Sequence, residues 1–241
     1  MTFIKPQHEN IAEILRSMDG RFLESCGCYF GGGTAIVLKH GEYRQSLDVD
    51  FLCANTDGYR ELRVAAQRSG AAGLFGADIK AAREPKFDRY GIRMFLLYRD
   101  QPVKFEIVRE ERIPVGGHLD DDLRVPILSA SDMFAEKLLA NADRCLDRSV
   151  AYRDAIDLGR LVMAHGEIPL SAVSKAQRAY GESVEHYAVK IVNHLLQKDE
   201  VRQAARVLQM HSDNAFDAIA ALRADVRRLW PDGGVEDDHT F

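Results

Sequence analysis

The sequence has no long apolar segment of the kind that enters a membrane. Its longest run without a charged residue, Ser25–Leu38, is interrupted by glycines and is shorter than the roughly 20 apolar residues that a membrane-spanning helix needs. The opening residues, MTFIKPQHEN, are too polar to form the apolar core of a secretory signal. We therefore expect a cytoplasmic protein that does not interact with a membrane.

Cysteine is scarce and is not arranged for a zinc site. The cysteines show no CxxC spacing and no paired histidines accompany them, which excludes the common structural zinc motifs. They are Cys26, Cys28, Cys53 and Cys145. Reduced thiols are the default in the cytoplasm, and the close spacing of Cys26 and Cys28 argues against a disulfide between them.

The chain also lacks an excess of positive charge. Its formal net charge is −5, so the protein as a whole does not attract nucleic acid, and an RNA partner would have to meet a local basic patch. The stretch Arg83–Arg112 is richer in basic than in acidic residues and contains Tyr90 and Tyr98. Because acidic residues are interleaved with the basic ones, this stretch is either an RNA-facing surface or a solvated face of a sheet.

What is present is a change of periodicity along the chain. Two-residue alternation predicts strands in the first half, and helical spacing takes over after Ser131. The predicted strands are Leu23–Phe30, Val49–Cys53, Asp78–Ala82, Tyr90–Tyr98, Pro102–Arg109 and an edge strand within Leu123–Leu128, with a Gly-Gly turn at residues 116–117. The predicted helices are Gln7–Met18, Thr34–His40, Tyr59–Gln67, Met133–Cys145, Tyr152–Ala164 and others between Leu170 and Trp230. We expect an α+β fold, with an α/β domain over residues 1–128 and a helical domain over residues 129–241.

Three consecutive glycines, Gly31–Gly33, precede Thr34 and the apolar run AIVL. This order predicts a strand that turns sharply into a helix, where unpaired backbone N–H groups and the helix dipole favour phosphate oxygens. Glycine also lets a ligand approach the backbone closely. On its own, the motif is also explained by a tight turn in which Thr34 caps the helix.

Asp48 and Asp50 flank a hydrophobic residue in the predicted strand. Residues two apart on a strand point to the same face, about 6.6 Å apart, so Val49 and Phe51 would face the core. Neighbouring carboxylates repel unless a cation lies between them or a pKa rises, and Mg²⁺ prefers carboxylates together with substrate phosphates. A solvated strand edge is the alternative interpretation.

A third acid, Glu106, lies in VKFEIV on the side opposite Phe105 and its apolar neighbours. A neighbouring antiparallel strand would lie about 4.8 Å from the strand that carries Asp48 and Asp50. We therefore expect the three carboxylates to converge on one metal centre. Taken alone, Glu106 is also compatible with a solvent-facing strand residue.

The stretch GGGTAIVLKHGEYRQSLDVDF resembles the opening motif of the AbiEii/AbiGii toxin nucleotidyltransferases, a branch of the polymerase-β-like nucleotidyltransferase superfamily. The family pattern is Gly-Gly-Thr/Ser and then, after a spacer, Arg-x-Ser-x-Asp-x-Asp-Phe. The matching residues are Gly32, Gly33, Thr34, Arg44, Ser46, Asp48, Asp50 and Phe51. Downstream, EKLLANADR and YRDAIDLGRL resemble the rest of the pattern, a lysine on one helix and Arg-Asp-x-x-Asp-Leu on the next. The residues that match there are Lys137, Arg144, Arg153, Asp154, Asp157 and Leu158.

The resemblance implies an enzyme that moves a nucleoside monophosphate from an NTP substrate to an acceptor hydroxyl and releases pyrophosphate, with Mg²⁺ or Mn²⁺ as cofactor. Family members act as toxins of toxin–antitoxin pairs and some modify the 3′ end of tRNA, so RNA or tRNA and a cognate antitoxin are the expected partners. The implied metal ligands are Asp48, Asp50 and Glu106. The implied nucleotide-binding residues are Gly32, Gly33, Thr34, Arg44, Ser46 and Lys137. The implied catalytic residues are Asp48, Asp50, Glu106, Lys137, Asp154 and Asp157.

Residue chemistry is compatible with these roles but leaves alternatives. A lysine ammonium is a compact charge suited to a triphosphate, and Asp154 and Asp157 would share one helix face and either orient Lys137 or receive a ribose hydroxyl. Ordinary salt bridges between two helices are the alternative. Arg44 and Ser46 either contact phosphate or shape the turn before the strand. A transferase with a protein or small-molecule acceptor, and an inactive nucleotide-binding interaction module, are the competing functions.

Overall fold

A computed structural model describes residues 2–76 and 79–237. The helices are α1 (Pro6–Arg16), α2 (Gly20–Ser25), α3 (Gly32–Lys39), α4 (Thr56–Ser69), α5 (Ala130–Arg144), α6 (Arg153–His165), α7 (Leu170–Tyr180), α8 (Ser183–His194), α9 (Lys198–Val207) and α10 (Ser212–Leu229). The strands are β1 (Cys28–Gly31), β2 (Val49–Cys53), β3 (Lys80–Ala81), β4 (Lys86–Phe87), β5 (Gly91–Tyr98), β6 (Gln101–Arg109), β7 (Gly117–Leu119) and β8 (Pro126–Leu128). Strands precede most of the helices, and the predicted α+β class is confirmed.

The strands form one mixed sheet in the order β3-β5-β6-β2-β1-β8-β7, with β4 also paired to β5. The pairs β2–β6 and β1–β8 are parallel, whereas the other pairs are antiparallel. Alternation decides which face is buried: on β5, Ile92, Met94 and Leu96 are at most 1% exposed. The residues between them, Arg93 and Phe95, lie on the other face and are partly exposed.

The chain divides into two compact units. The sheet unit comprises residues up to Leu38 and Ser46–Asp132, and the helical unit comprises Lys39–Gln45 and the residues from Met133 onward. The sequence predicted a boundary at 128/129 and did not predict that residues 39–45 would join the helices. Within the helical unit, the backbone N–H of Gln45 donates to the carbonyl of Leu208 at 2.9 Å, which ties this short segment to the residue that follows α9.

The helical unit has its own core. Helix α6 buries Ile156, Leu158 and Leu161, and it packs closely against α10. At the crossing, a Cβ on Gly159 would lie 1.9 Å from the carbonyl oxygen of Ala218, so only glycine allows the two backbones to approach this closely. None of the helices formed by the described residues is long and apolar enough to span a bilayer.

Two predicted strands were wrong in detail. Residues 23–25 of the predicted strand Leu23–Phe30 belong to α2, because the side chain of Asp19 accepts a hydrogen bond from the N–H of Phe22 and caps a short helix there. The predicted edge strand near Leu128 is an inner strand. The edge is β7, whose three exposed residues are too few to show alternation. Asp78, at the start of another predicted strand, lies outside the described residues.

Candidate active site

A row of four residues crosses the sheet. Gly31 pairs with Asp50 in antiparallel β1–β2, Asp50 pairs with Glu106 in parallel β2–β6, and Glu106 pairs with Arg93 in antiparallel β5–β6. Paired residues direct their side chains to the same face, and adjacent strands are about 4.8 Å apart. This face is the one opposite the fully buried Val49. The row therefore places Asp50 and Glu106 side by side.

The sequence-based expectation that the Glu106 strand runs antiparallel to the Asp48–Asp50 strand was wrong, because β2 and β6 run parallel. The chain leaves β2 through α4 and then forms β3, β4 and β5 before it enters β6. Register determines which side chains are neighbours, so Glu106 faces Asp50 in spite of the different strand direction. Asp48 lies one residue before β2 and, like Asp50, is partly exposed.

The first acid of the row lies against the glycine motif. Gly32 begins α3 with φ +68°, a left-handed backbone conformation that favours glycine. A Cβ at this position would lie only 3.0 Å from Oδ2 of Asp50. The start of α3, where helix N–H groups carry partial positive charge, is therefore adjacent to the Asp50 carboxylate.

Glu106 is held by two cations. Its Oε1 lies 2.6 Å from Nε of Arg93, and its Oε2 lies 3.1 Å from Nζ of Lys104. Burial lowers the pKa of Lys104, but its hydrogen bond to Glu106 and the charges of Asp50 and Asp48 outweigh burial and raise that pKa. Within residues 2–76 and 79–237, no three His, Cys, Asp or Glu side chains are spaced to hold a metal ion. The predicted convergence of three carboxylates is thus not assembled here, since both Glu106 oxygens contact basic groups.

Thr34 and Ser46, both predicted to bind nucleotide, contact each other. Thr34 is 1% exposed, and its Oγ1 lies 2.8 Å from Oγ of Ser46 in a shared hydrogen bond. The N–H of Ser46 donates to Nε2 of the buried His8 at 3.4 Å. These hydrogen bonds connect the first turn of α3 to the segment that leads into β2. Contact of either hydroxyl with a nucleotide stays a prediction.

The helical unit contains a second acidic cluster, which is buried. Asp157 is fully buried in the first half of α6, and Arg44 donates to both of its carboxylate oxygens at 2.8 Å. The hydroxyl of Tyr43 donates to Oδ1 of Asp157 at 2.6 Å. Burial alone would raise the pKa of Asp157, but the charges of Arg44 and Lys137 outweigh it and lower that pKa. Asp157 is therefore held as a carboxylate.

Asp154, one helical turn earlier, is neutralised in the same way. Nζ of Lys137 lies 2.9 Å from its Oδ1 and 2.5 Å from Oδ2 of Asp157, so this ammonium bridges the two acids. Arg144 donates to the other oxygen of Asp154 at 2.6 Å. Burial again opposes the shift, but Lys137 and Arg144 hold the pKa of Asp154 well below its usual range. Both acids therefore contact the ammonium group of Lys137, whose side chain is only 7% exposed, and their role in orienting Lys137 stays a prediction.

The structure adds residues to both clusters that sequence reasoning did not assign to a site. Lys104 and Arg93 contact Glu106, and the available signal was the strand alternation that places Lys104 and Glu106 on one face. Tyr43 contacts Asp157 but belongs to none of the sequence motifs. Its neighbour Arg44 is part of the family's first motif.

The family model of the AbiEii nucleotidyl transferase toxin, of type IV toxin–antitoxin systems, matches residues 13–230. The chain belongs to this family. The AbiEii family consists of nucleotidyltransferases, which use an NTP as substrate, and the protein is accordingly a nucleotidyltransferase of the toxin type. The match includes every residue that carried the resemblance in the sequence. No curated protein matches the sequence.

Two solved structures share the fold of this chain. JHP933 from Helicobacter pylori superposes with a TM-score of 0.54 and 19% identity, covering 94% of this chain and 95% of the other. A second Helicobacter pylori protein, provisionally described as a nucleotidyltransferase, has a TM-score of 0.55 and 20% identity, with 95% and 98% of the two chains covered. At such low identity these similarities concern the fold alone.

Proposed function

We propose that this AbiEii-family protein transfers a nucleoside monophosphate from an NTP to a hydroxyl of an RNA acceptor, in a reaction that depends on Mg²⁺. The observation that carries the proposal is the row across the sheet, in which Asp50 lies between the start of α3 and Glu106. Helix N–H groups favour phosphate, and carboxylates favour a divalent cation. A nucleoside triphosphate with its magnesium ion requires both kinds of group side by side.

The donor chemistry at the start of β2 fits magnesium. Asp48 and Asp50 supply hard oxygen ligands, both are partly exposed, and Asp50 lies against the backbone of Gly32, where a larger residue would occupy the space. We propose these two residues as metal ligands, with Glu106 as the third once it exchanges Arg93 or Lys104 for the ion. When bound, magnesium would neutralise charge on the phosphate oxygens.

The residues of this chain have simple tasks in such a reaction. The acceptor oxygen forms a bond to the α-phosphorus, the bond from that phosphorus to the bridging oxygen breaks, and pyrophosphate leaves with the electron pair. The acceptor's proton passes to Glu106 or to water. The first turn of α3, at Gly32 and Gly33, holds the departing phosphates, and positioning and electrostatics supply the rate. Neither a serine nor a cysteine nucleophile is required.

The roles of the helical unit stay predictions. Lys137 is predicted to neutralise pyrophosphate, but Asp154 and Asp157 already occupy its ammonium group, so a phosphate would compete with two carboxylates. Arg44 and Asp157 form a bidentate pair that supports the alternative of shaping the turn before the strand. Lys137→Met separates a role in neutralising pyrophosphate from a structural role. Loss of pyrophosphate release at unchanged thermal stability indicates the first, and loss of thermal stability indicates the second.

The experiment that tests the proposal uses one label at two positions. The purified protein is incubated with total RNA, Mg²⁺ and each of the four NTPs, labelled on either the α- or the γ-phosphate. We expect the α-label in RNA on a gel and the γ-label in pyrophosphate. Appearance of the γ-label in RNA would indicate phosphate transfer and contradict the proposed reaction.

The same assay distinguishes the competing functions. An α-label in protein or in a small molecule would identify a different acceptor. NTP binding without pyrophosphate release would identify an inactive nucleotide-binding module.

An antitoxin is the partner expected for this toxin family, and we propose that its co-expression relieves growth inhibition by the wild-type protein.

A further inference from the structure

The face of the sheet that carries Asp50 and Glu106 continues into a strongly basic surface. Register assigns side chains to this face directly: Lys86 pairs with Arg93, Phe95 pairs with Lys104, and Lys80 pairs with Leu97. We call this surface the basic face, and its members are Lys80, Arg83, Lys86, Arg93, Phe95, Leu97 and Lys104. It contains five basic residues.

The basic face is open to solvent. The side chain of Lys104 is 43% exposed and that of Arg93 is 36% exposed. Lys80, Arg83 and Lys86 are exposed as well, and Leu97 is 46% exposed in spite of its apolar character. The surface therefore presents positive charge and apolar area together.

An arginine stacked on an aromatic ring lies in the middle of the basic face. Cζ of Arg83 lies 3.5 Å from the ring centroid of Phe95. A guanidinium held flat against a ring presents a planar cation to solvent, and such a plane stacks on unpaired bases while its charge attracts phosphate. Each base stacked on such a platform contributes a sequence-independent gain in affinity.

Two of the acidic residues that interleave with the basic ones in the sequence lie beyond the end of β6. Glu110 and Glu111 follow the end of β6 and pair with Arg112 and Arg109. Asp88 pairs with Arg93 at the margin of the face. On the face itself, Glu106 pairs with Arg93 and Lys104, and the exposed Lys80, Arg83 and Lys86 on and between β3 and β4 add further positive charge.

We propose that the basic face binds a single-stranded nucleic acid and guides its end to Asp50 and Glu106. The inference rests on the proposed function and adds the surface through which its RNA acceptor is held. From Phe95 the strand β2 is two strand spacings away, roughly 10 Å, which is a short distance for a chain of nucleotides. Stacking on Arg83 and Phe95 requires unpaired bases, so the proposal excludes duplex as the preferred ligand.

The test measures binding without NTP. A fluorescein-labelled single-stranded RNA of mixed sequence is titrated with the wild-type protein and its variants, and anisotropy gives the dissociation constant. We expect Phe95→Ala and Arg83→Ala each to weaken binding about tenfold, and Phe95→Trp to retain it, since alanine removes the stacking plane and tryptophan keeps it. Lys80→Ala and Lys86→Ala should each reduce the dependence of affinity on salt by about one ion.

A matched control lies in the turn that follows the same strand. Cζ of Arg99 lies 5.1 Å from the ring of Tyr98, whose hydroxyl donates to Glu13 of α1. Arg99→Ala therefore removes an arginine from an aromatic ring without changing the basic face, and should leave RNA affinity unchanged. If Phe95→Ala lowers the melting temperature, the proposal is tested by Arg83→Ala, Lys80→Ala and Lys86→Ala, because these three side chains are exposed.

The outcomes separate the surface from the reaction. Weaker binding by the basic-face variants, with a raised KM for RNA and an unchanged KM for NTP, supports the proposal. If the basic-face variants bind RNA more weakly but the wild-type protein transfers no label to RNA, the basic face is supported as an RNA-binding surface and the proposed function is contradicted. Wild-type affinity and labelling in all basic-face variants overturns the proposal, as does tighter binding of duplex than of single strands.

Discussion

The two units place their acids in opposite environments. In the sheet unit, Asp48 and Asp50 are partly exposed, and Asp50 lies beside the backbone of a helix start. In the helical unit, Asp154 and Asp157 are buried and every carboxylate oxygen contacts a basic group. Exposed carboxylates exchange partners at low cost, whereas buried pairs are costly to break. Asp48 and Asp50 of the first motif are therefore accessible from solvent, whereas Asp154 and Asp157 form a buried ion-pair network that includes Arg44 of the first motif.

The largest expected effect on activity is at Asp50. Asp50→Asn keeps the size of the side chain but removes the charge, and we expect transfer to fall by about 100-fold or more, as for loss of a preorganised electrostatic group. The melting temperature should not change, because Asp50 is partly exposed. The control is Asp57→Asn, which alters a surface acid of α4 and should retain full activity. If Asp50→Asn were as active as Asp57→Asn, Asp50 would have no role in transfer, and the contrast with the structural acids Asp154 and Asp157 would be contradicted.

The opposite pattern is expected at Arg44. Arg44→Met leaves the buried Asp157 with only Tyr43 and Lys137, and breaking a buried ion pair costs about 3–5 kcal/mol. We expect the lower end, about 3 kcal/mol, because two partners remain. Urea unfolding measures this loss. Arg206→Met on the surface of α9 is the control and should change the free energy of unfolding by less than about 0.5 kcal/mol. A stable Arg44→Met protein that has lost NTP binding would instead indicate a ligand role.

A smaller effect is expected at Gly32. Alanine would force a Cβ into a left-handed backbone at φ +68° and to 3.0 Å from Asp50, so we expect a cost of about 1–2 kcal/mol and displacement of the carboxylate. Gly41→Ala is the matched control: it shares the positive φ, and nothing lies within 4 Å of its added Cβ. If both variants keep wild-type affinity for NTP, contact between α3 and the nucleotide is contradicted.

The smallest expected effect is the response to acid. Because the pKa values of Asp154 and Asp157 are lowered by folding, their contribution to stability is complete above the unfolded pKa of about 4 and is lost as the pH falls below it. Unfolding at pH 7, 5 and 3 measures this. Asp154→Asn should show a shallower loss between pH 5 and 3, whereas an unchanged slope would show that Asp154 does not contribute.

Local patterns in the sequence predicted several structural features of the candidate site. The strand Val49–Cys53 was predicted with its observed bounds, and the alternation around Glu106 assigned the correct face. Strand direction was not predictable, because it depends on how the chain returns through α4 and β3–β5. The partners of Glu106 were missed for a related reason: Arg93 is a neighbour only through the β5–β6 register.

The helical unit shows a different limit of sequence reasoning. The spacing of Asp154 and Asp157 indicated a shared helix face, and α6 has that face. Their burial could not be derived, since it depends on Arg44, which is 113 positions away in the sequence from Asp157. Long-range charge pairing of this kind leaves no periodic signal, so a buried ion pair and a phosphate-binding arginine have the same local sequence.

The central claim is that Asp50 helps to hold a magnesium–nucleotide complex beside the start of α3. The most direct measurement is the affinity for a non-hydrolysable NTP analogue by calorimetry, with and without Mg²⁺, for the wild-type protein and for Asp50→Asn. We predict that Mg²⁺ strengthens binding to the wild-type protein at least tenfold and has little effect on the variant. The same dependence on Mg²⁺ in both proteins would contradict the claim.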